Sequence, residues 1–397
     1  MPTYSTLKIA VPEDFVLSRD CCSYGYFLLA PNFWNVKAQT LTRVLNINKR
    51  ALRVVISQRA TPTAASALTT SPGTPLTIRI EGDLPTSLPN SSPTSRTART
   101  AARNTITAHI TRMLRLDESA ETLAEFHALD PRWKASGQGR LFRSPTFFED
   151  VIKTVTSCNV QWPGTITMNT RLCAVVGKRL TSPKQASNSK KTIPHALRNA
   201  DIDTHSFPAI DALALVRPAT LRARCRVGYR DQRIVEIARL FKEATSKKSY
   251  SKNSSSLNSA SKKPTIKSAK KNHINTFDLS AALDPATTDD DLFELLQELP
   301  GVGPYAAANI LQLLGRYAHL PLDTESVRHG RVVLGFTGTS SEVMKKVHAH
   351  FEPFGVHRFR SYWFEIWAYY EAKHGPAWTW QRSTTGKLFT AAMLAKK

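Results

Sequence analysis

The chain has 397 residues, 41% of them hydrophobic, and this length and composition predict two or three domains with buried cores. Lys and Arg number 54 against 31 Asp and Glu, so the formal net charge is +23. The expected partners are therefore polyanions, with nucleic acid ranked first and an anionic membrane surface second. No segment has the apolar length of a signal-peptide core or a transmembrane helix, and five cysteines without a Cys-x-x-Cys pair argue against a disulfide framework, a zinc ribbon or an iron–sulfur cluster.

The N-terminal region has the pattern of a small antiparallel sheet. Short β-branched or aromatic runs at 6–11, 25–29, 52–57 and 76–80 lie between turn residues and predict four strands. We assign residues 1–83 to this β-rich domain.

Three polar segments are predicted to lie outside the packed core. Residues 84–104 read as a low-complexity linker, and 181–191 and 245–275 as flexible insertions. The last segment carries eight lysines and no acid, which fits a solubilising loop, a DNA-contacting loop or a nuclear import signal. Because removing those eight charges still leaves about +15, the expectation of a nucleic-acid partner does not depend on this segment.

From residue 105 onward the apolar residues repeat at helical spacing. The run from Phe147 to Val155 has apolar side chains at i, i+3 and i+4, and similar patterns follow at 213–217, 234–241, 291–299, 305–314 and 362–370. The predicted fold class is therefore α+β, with the small sheet followed by a larger helical body at 105–397.

The most informative segment is Leu299-Pro-Gly-Val-Gly-Pro-Tyr305. One helix ends before Pro300, and a second is predicted to begin at Pro304, which suits a first helical position. Gly301, Val302 and Gly303 would expose backbone amides beside that helix N-terminus, a favourable place for a phosphate of a nucleic-acid backbone. A plain glycine turn between two packed helices is the alternative.

A carboxylate follows at the end of the next loop. Asp323 comes after Leu320-Pro321-Leu322, twenty positions beyond Gly303, and directly precedes another predicted helix. It could cap that helix, and it could also serve as a functional carboxylate, since the two roles are compatible.

These two motifs together resemble the helix–hairpin–helix DNA glycosylases that carry a Gly/Pro-rich loop and an aspartate (the HhH-GPD superfamily). The matching words are LPGVGPYAAANI and LPLDTESVRH. The segments 143–159 and 225–239 also resemble 3-methyladenine glycosylase II and 8-oxoguanine DNA glycosylase. The resemblance spans roughly residues 15–373 and implies a sheet domain followed by the helical glycosylase domain.

The resemblance assigns Asp323 as the catalytic carboxylate, which stabilises the developing positive charge on the sugar or activates water. Tyr305 stands where the glycosylase–lyases have the lysine that forms a Schiff base, so this position cannot form an imine. Glu325 departs from the His found in many 8-oxoguanine enzymes. Candidate walls of the base pocket are Tyr305, Asn309, Phe148 and Trp162, with Trp363 and Trp367 as further aromatic candidates.

The resemblance also implies a set of residues that opens the duplex. Asn159 would fill the gap left by the extruded base, Tyr229 would act as a wedge, and Arg230 would read the orphaned base. An ordinary helix anchor is the alternative for Tyr229.

The function expected from the sequence is a monofunctional DNA N-glycosylase of base-excision repair that acts as a monomer, without metal or cofactor, on double-stranded DNA containing a damaged base. Alkylated purines are preferred over 8-oxoguanine as the expected substrate. Two alternatives stay open: a catalytically silent DNA-binding scaffold, and a glycosylase–lyase that uses another lysine or the N-terminal amine. The expected location is the nucleus in a eukaryote and otherwise the cytoplasm.

Overall fold

The computed structural model describes residues 4–62, 68–70, 72–84, 95–180, 204–253 and 277–388. The predicted insertion at 181–191 and part of the predicted linker, 85–94, lie outside the described residues. None of the helices in the described ranges is long and apolar enough to cross a membrane.

The N-terminal region forms a five-stranded antiparallel sheet with the strand order β1-β7-β4-β3-β2. Every second residue of β7 is buried, which is the pattern of a strand with one face on the core. A separate two-stranded ribbon pairs β5 with β6. The strands are β1 (Tyr4–Ile9), β2 (Asn32–Asn35), β3 (Thr40–Ile47), β4 (Arg50–Ser57), β5 (Ala60–Pro62), β6 (Leu68–Thr70) and β7 (Leu76–Glu81).

The rest of the described chain is helical. The α-helices are α1 (Leu17–Cys21), α2 (Ser95–Leu114), α3 (Ala120–Leu129), α4 (Phe147–Ser157), α5 (Trp162–Val176), α6 (Ile210–Leu215), α7 (Pro218–Thr220), α8 (Asp231–Asn253), α9 (Leu279–Ala282), α10 (Asp289–Gln297), α11 (Pro304–Leu314), α12 (Thr324–Val332), α13 (Ser340–Phe351), α14 (Arg358–His374) and α15 (Arg382–Leu388). The 3₁₀ helices are Gly25–Leu28, Pro131–Trp133, Gly228–Arg230, Glu352–His357 and Ala377–Thr379, and Leu221–Cys225 is a π-helical turn. The α+β architecture predicted from the sequence is confirmed.

Helix α11 lies between two hydrophobic clusters. The first cluster joins the sheet to α2, α13 and α14, and includes Leu313 of α11. The second packs α4, α5, α8 and α10 together, and includes Ala306 and Ile310 of α11. Helix α11 is therefore packed from both sides, by the cluster that contains the sheet and by the cluster of the helical body.

Three details differ from the sequence-based expectations. The run at 25–29, predicted as a strand, contains the 3₁₀ helix Gly25–Leu28, because its aromatic residues are buried by tertiary packing and take no part in a strand ladder. The predicted linker is helical from Ser95 onward. The predicted Lys-rich insertion begins inside α8, which continues to Asn253. The domain boundaries themselves stay predictions.

Candidate active site

Asp323 is the N-cap of α12. Its Oδ1 atom accepts hydrogen bonds from the backbone N–H of Glu325 at 2.9 Å and of Ser326 at 3.2 Å. Its Oδ2 atom has no hydrogen-bond partner among the described residues. The two carboxylate oxygens therefore have different surroundings. Oδ1 caps the helix, and Oδ2 is available to a ligand.

A buried hydroxyl relay lies behind this carboxylate. Ser326 Oγ accepts a hydrogen bond from the Asp323 backbone N–H at 3.0 Å, lies 3.4 Å from Asp323 Oδ1, and pairs with the Tyr362 hydroxyl at 2.6 Å. Tyr362 is buried on α14. The relay fixes the orientation of Asp323 from the side opposite the free oxygen. Neither Ser326 nor Tyr362 was singled out from the sequence, although Ser326 occupies the N3 position of a capping box.

The pKa of Asp323 is raised to about 6, mainly by burial. The nearby charge of Glu325 contributes to this rise, while the two backbone N–H bonds act in the opposite direction. Glu325 itself is held by Arg328, whose Nε donates to Glu325 Oε1 at 2.7 Å. A carboxyl with a raised pKa beside a helix N-terminus is typical of a functional site rather than of a simple surface cap.

Tyr305 and Asn309 lie one turn apart on α11, close to Asp323. Burial raises the pKa of the Tyr305 phenol, and the Asp323 charge contributes, so Tyr305 keeps its proton at neutral pH. Asn309 donates to the Tyr305 carbonyl at 3.0 Å, and its Oδ1 accepts from the hydroxyl of Tyr24 at 3.1 Å. Tyr24, which was not predicted as a site residue, thus connects the N-terminal region to the helix that carries Tyr305.

Trp162, at the first position of α5, packs flat against the backbone of Gly25. A Cβ atom at Gly25 would lie 2.9 Å from the Trp162 ring, so glycine is required for this contact. Trp363 of α14 extends the aromatic surface, since its ring lies 4.6 Å from that of Tyr24. Tyr24, Trp162 and Trp363 thus form an aromatic surface around the 3₁₀ helix Gly25–Leu28, and Tyr305 and Tyr362 are the aromatic residues that the Asp323 charge affects.

The structure gives Phe148 a packing role, and its predicted place in the wall of a base pocket stays a prediction. It is buried in the core between α4 and α8, where its ring lies 5.3 Å from that of Phe241. The sequence pattern of an aromatic residue at helical spacing is the same for a core position and for a pocket wall, so it does not distinguish the two roles. Trp367 is buried as well, within the aromatic cluster of α14.

The hairpin before α11 has the predicted geometry. Gly301 has a left-handed backbone with φ of +81°, and Gly303 is the N-cap of α11 with Pro304 at its first position. Both glycines are exposed, and their N–H groups have no partner among the described residues. Val302 differs from the prediction, because its side chain is buried and its N–H donates to the Leu299 carbonyl at 3.0 Å. The amides available to a phosphate are those of the two glycines.

Asn159 and Tyr229 come together although 70 positions separate them. Asn159 is exposed with φ of +49°, just after α4, and Tyr229 is 51% exposed within the turn before α8. The Asn159 amide donates to the Tyr229 hydroxyl at 3.4 Å. An exposed tyrosine on a short turn is not a core anchor, so the structure leaves both side chains free to enter a duplex.

Arg230 does not face outward, contrary to the predicted role of reading the orphaned base. Its side chain is 6% exposed and donates to the backbone carbonyls of Val155 at 3.2 Å, Val227 at 3.3 Å, Asn159 at 3.3 Å and Cys158. The guanidinium is occupied by the backbone at the end of α4. The sequence could not reveal this, because the carbonyls come from a distant segment.

Exposed arginines surround this pair of residues. Arg224, Arg226 and Arg233 are exposed on the segment that runs from the π-helical turn into α8. The aliphatic part of Arg233 packs over Gly301, and its guanidinium lies 5.1 Å from the Tyr229 ring. Positive charge therefore connects the hairpin with the exposed tyrosine, which suits a phosphate backbone.

The described residues contain no group of three His, Cys, Asp or Glu side chains that could hold a metal ion. The groups at this site are a carboxylate, phenols, an amide and aromatic rings. Such a set can stabilise positive charge, orient water and stack a planar ligand.

Comparisons with known proteins identify the fold. No family model matches the chain, and no curated protein sequence matches it. A 3-methyladenine DNA glycosylase from Archaeoglobus fulgidus is similar in structure, with a TM-score of 0.53 at 14% identity, covering 91% of this chain and 98% of that one. The apo 8-oxoguanine glycosylase/lyase of Clostridium acetobutylicum is similar with a TM-score of 0.51 at 13% identity, covering 92% and 98% of the two chains.

The Clostridium acetobutylicum enzyme in complex with double-stranded DNA that has cytosine opposite 8-oxoguanine gives a TM-score of 0.52 at 13% identity over 94% of this chain and 98% of that one. These identities are too low to transfer a substrate, but the likeness extends over almost the whole of both chains. The chain has the fold of the helix–hairpin–helix DNA glycosylases.

Proposed function

We propose that the protein is a monofunctional DNA N-glycosylase that hydrolyses the bond between deoxyribose and a damaged base extruded from duplex DNA. The observation that carries this proposal concerns the two oxygens of the Asp323 carboxylate. Oδ1 is bound to the N-terminus of α12, Oδ2 has no hydrogen-bond partner among the described residues, and the charge of the carboxylate acts on Tyr305. An anion fixed in this way stabilises positive charge on a ligand without having to reorganise.

The chemistry follows from that charge. The bond from the sugar C1′ to the base nitrogen breaks, and its electron pair leaves with the base. The sugar is left with oxocarbenium character, which the Asp323 carboxylate stabilises. A water oxygen then bonds to C1′ and gives up a proton to Asp323 or to solvent. The products are the free base and an abasic site.

Tyr305 supports the monofunctional assignment. A glycosylase–lyase needs an amine that attacks C1′ and forms an imine, and a phenol cannot do so. The phenol also keeps its proton, because burial and the Asp323 charge both raise its pKa. A neutral aromatic side chain at this point is suited to stacking against the base or the sugar.

We further propose that the substrates are electron-poor alkylated purines. The neighbours that interact with Asp323 include Tyr305 and Tyr362, and both phenols have a raised pKa, so neither is a ready proton donor. A cationic alkylated base leaves without being protonated and stacks favourably on aromatic rings. The aromatic surface of Tyr24, Trp162 and Trp363 therefore fits such a base better than one that must be protonated to leave.

The test is a base-release assay under single-turnover conditions. Duplexes would carry 3-methyladenine, 7-methylguanine, hypoxanthine, uracil or 8-oxoguanine, and Asp323→Asn would serve as the control. We expect release of the methylated purines by the wild type and none by Asp323→Asn, with no strand cleavage by either protein.

The other outcomes are equally clear. Faster release of 8-oxoguanine opposite cytosine would overturn the substrate class, and borohydride trapping of the wild type on DNA would overturn the monofunctional assignment. Equal release by wild type and Asp323→Asn would overturn the role of the carboxylate. Tight duplex binding without release of any base would leave a DNA-binding scaffold.

A further inference from the structure

Arg230 joins the two segments that carry Asn159 and Tyr229. Its Nε and Nη2 donate to carbonyls of the segment at the end of α4, and its Nη1 donates to the carbonyl of Val227, two positions before Tyr229. The last carbonyls of a helix have no partner within the helix, so a cation placed there satisfies both their hydrogen bonding and their partial negative charge.

This arrangement uses most of the hydrogen-bonding capacity of the guanidinium. Four donor contacts go to backbone carbonyls, and the side chain is 6% exposed. To contact an orphaned base, Arg230 would have to give up several of these hydrogen bonds, and the carbonyls of Val155, Cys158 and Asn159 would lose this donor. Arg230 is therefore held in place by the fold.

The two exposed tips are fixed relative to each other by the same residue. The Arg230 guanidinium lies 4.5 Å from the centre of the Tyr229 ring, and Arg233 lies 5.1 Å from that ring. Asn159, whose carbonyl accepts from Arg230, donates its side-chain amide to the Tyr229 hydroxyl. Asn159 and Tyr229 thus form one unit that projects from the surface, with Arg230 beneath it.

We propose that Arg230 is a positioning residue that locks Asn159 and Tyr229 into one rigid double wedge, so that duplex opening depends on Arg230 and choice of the opposite base does not. This inference rests on the proposed function, because a wedge is needed only where a base must leave the stack. In this proposal Arg230 takes no part in the chemistry at Asp323. It acts before the bond between sugar and base breaks, and only where the base is paired.

The experiment compares one lesion in two settings. The same methylated purine would be placed in a single-stranded oligonucleotide and in duplexes opposite each of the four bases, and single-turnover release would be measured for wild type, Arg230→Met, Arg230→Lys and Tyr229→Ala. A base has to be unpaired and unstacked before extrusion only in the duplex. The release rate of Arg230→Met should therefore fall by about tenfold or more on duplexes and by less than about twofold on single strands. Arg230→Lys, which keeps the charge and some donors, should recover part of the loss.

Two comparisons distinguish a wedge from a merely structural role. Tyr229→Ala removes an exposed side chain and should reproduce the duplex-specific loss in a folded protein, and combining it with Arg230→Met should add little, since both changes remove the same unit. Lys345→Ala, which removes an exposed cation of α13 outside the candidate site, is the control. It should leave the ratio of duplex to single-strand release unchanged.

A loss in Arg230→Met that is equal on single strands and duplexes, or that is confined to one opposite base, would overturn the double wedge. A fully additive double variant would do the same. Failure of the wild-type protein to release the base from either substrate would overturn the proposed function instead, so the two failures are distinguishable.

Discussion

Asp323 serves two purposes whose requirements conflict. As a helix cap it needs only an acceptor oxygen, but as a functional carboxylate it must be charged inside a partly buried site. Burial raises its pKa to about 6, so the ionised form becomes dominant only above that pH. The rate of base release should therefore rise with pH through about 6 and level off. Single-turnover rates between about pH 5 and about pH 8 would measure this.

Glu325→Gln offers a check on the cause. Removing the neighbouring negative charge lowers the pKa of Asp323, so the inflection should move to lower pH while the plateau rate changes little. An inflection that stays in place in Glu325→Gln, or that persists in a variant without Asp323, would assign the pH dependence to another group.

The same raised pKa predicts a cost in stability. The folded state binds the Asp323 proton more tightly than the unfolded chain, so this stabilisation is present below about pH 4 and is lost as the pH rises through about 6. Asp323→Asn keeps an acceptor for the cap without the charge. It should increase the free energy of unfolding near neutral pH by about 1–3 kcal/mol, measured by denaturant titration. A destabilised Asp323→Asn would show that the cap requires the charge.

Tyr305 determines which chemistry is open to the site. Tyr305→Lys would replace the phenol on α11 with an amine. The Asp323 charge, which raises the pKa of the Tyr305 phenol, would act on that amine instead. We expect this variant to be trapped on lesion-containing DNA by borohydride, because a lysine amine can form an imine with the sugar. Tyr305→Phe is the matched control and should not be trapped. Trapping of Tyr305→Phe would point to an amine elsewhere in the chain.

At the scale of elements, the hairpin before α11 contains two glycines for different reasons. Gly301 has φ of +81°, and a Cβ there would lie 2.5 Å from Arg233 Cδ, so Gly301→Ala should lower the stability of the fold. Gly303 has φ of −102° and no atom within 4 Å of an added Cβ, so folding does not require glycine at this position.

Gly303→Ala should consequently leave the thermal midpoint unchanged and weaken duplex binding severalfold, because the added methyl keeps a phosphate away from the exposed amides. Thermal unfolding and fluorescence anisotropy with an undamaged duplex would measure the two effects separately. Unchanged affinity in Gly303→Ala would argue that the hairpin is only a turn between packed helices.

The elements that sequence reasoning predicted best are those with local signals. The helix over Phe147–Ser157, the hairpin and the start of α11 at Pro304 follow from apolar spacing, two glycines and a proline, all of which act within a few residues. The run at 25–29 was misassigned because its aromatic residues are buried by tertiary contacts, such as the bond between the hydroxyls of Tyr26 and Thr154 at 2.8 Å.

The candidate site could be predicted only in part, for the same reason. Asp323 and Tyr305 follow local motifs, and the structure places them close together. The packing of Phe148 and the inward orientation of Arg230 could not be predicted, because their surroundings are supplied by α8 and by the end of α4, far away in sequence. The partners Tyr24 and Tyr362 come from opposite ends of the chain, and no spacing rule connects them.

At the scale of the whole molecule, the net charge of +23 predicts how affinity depends on salt. Each phosphate neutralised by Lys or Arg releases counterions, so the logarithm of the binding constant falls by about 0.9 for each tenfold increase in salt and each contact to duplex DNA. We expect such contacts from the exposed arginines near Tyr229 and from the lysines in the sequence of segment 254–276, which lies outside the described residues.

Replacing those five lysines (Lys262, Lys263, Lys267, Lys270 and Lys271) with Gln would lower the formal net charge from +23 to +18 without shortening the chain. We expect weaker binding to undamaged duplex. The slope of log K against log salt should become shallower by an amount that corresponds to the loss of about one to three phosphate contacts. Base release under single-turnover conditions at saturating protein should not change, because the chemistry depends on Asp323. Arg224→Ala tests the exposed arginines near Tyr229 in the same way. It should make the slope of log K against log salt shallower by the amount of about one phosphate contact. If the variant without these five lysines folds and binds DNA but no longer releases the base, the segment takes part in the reaction itself.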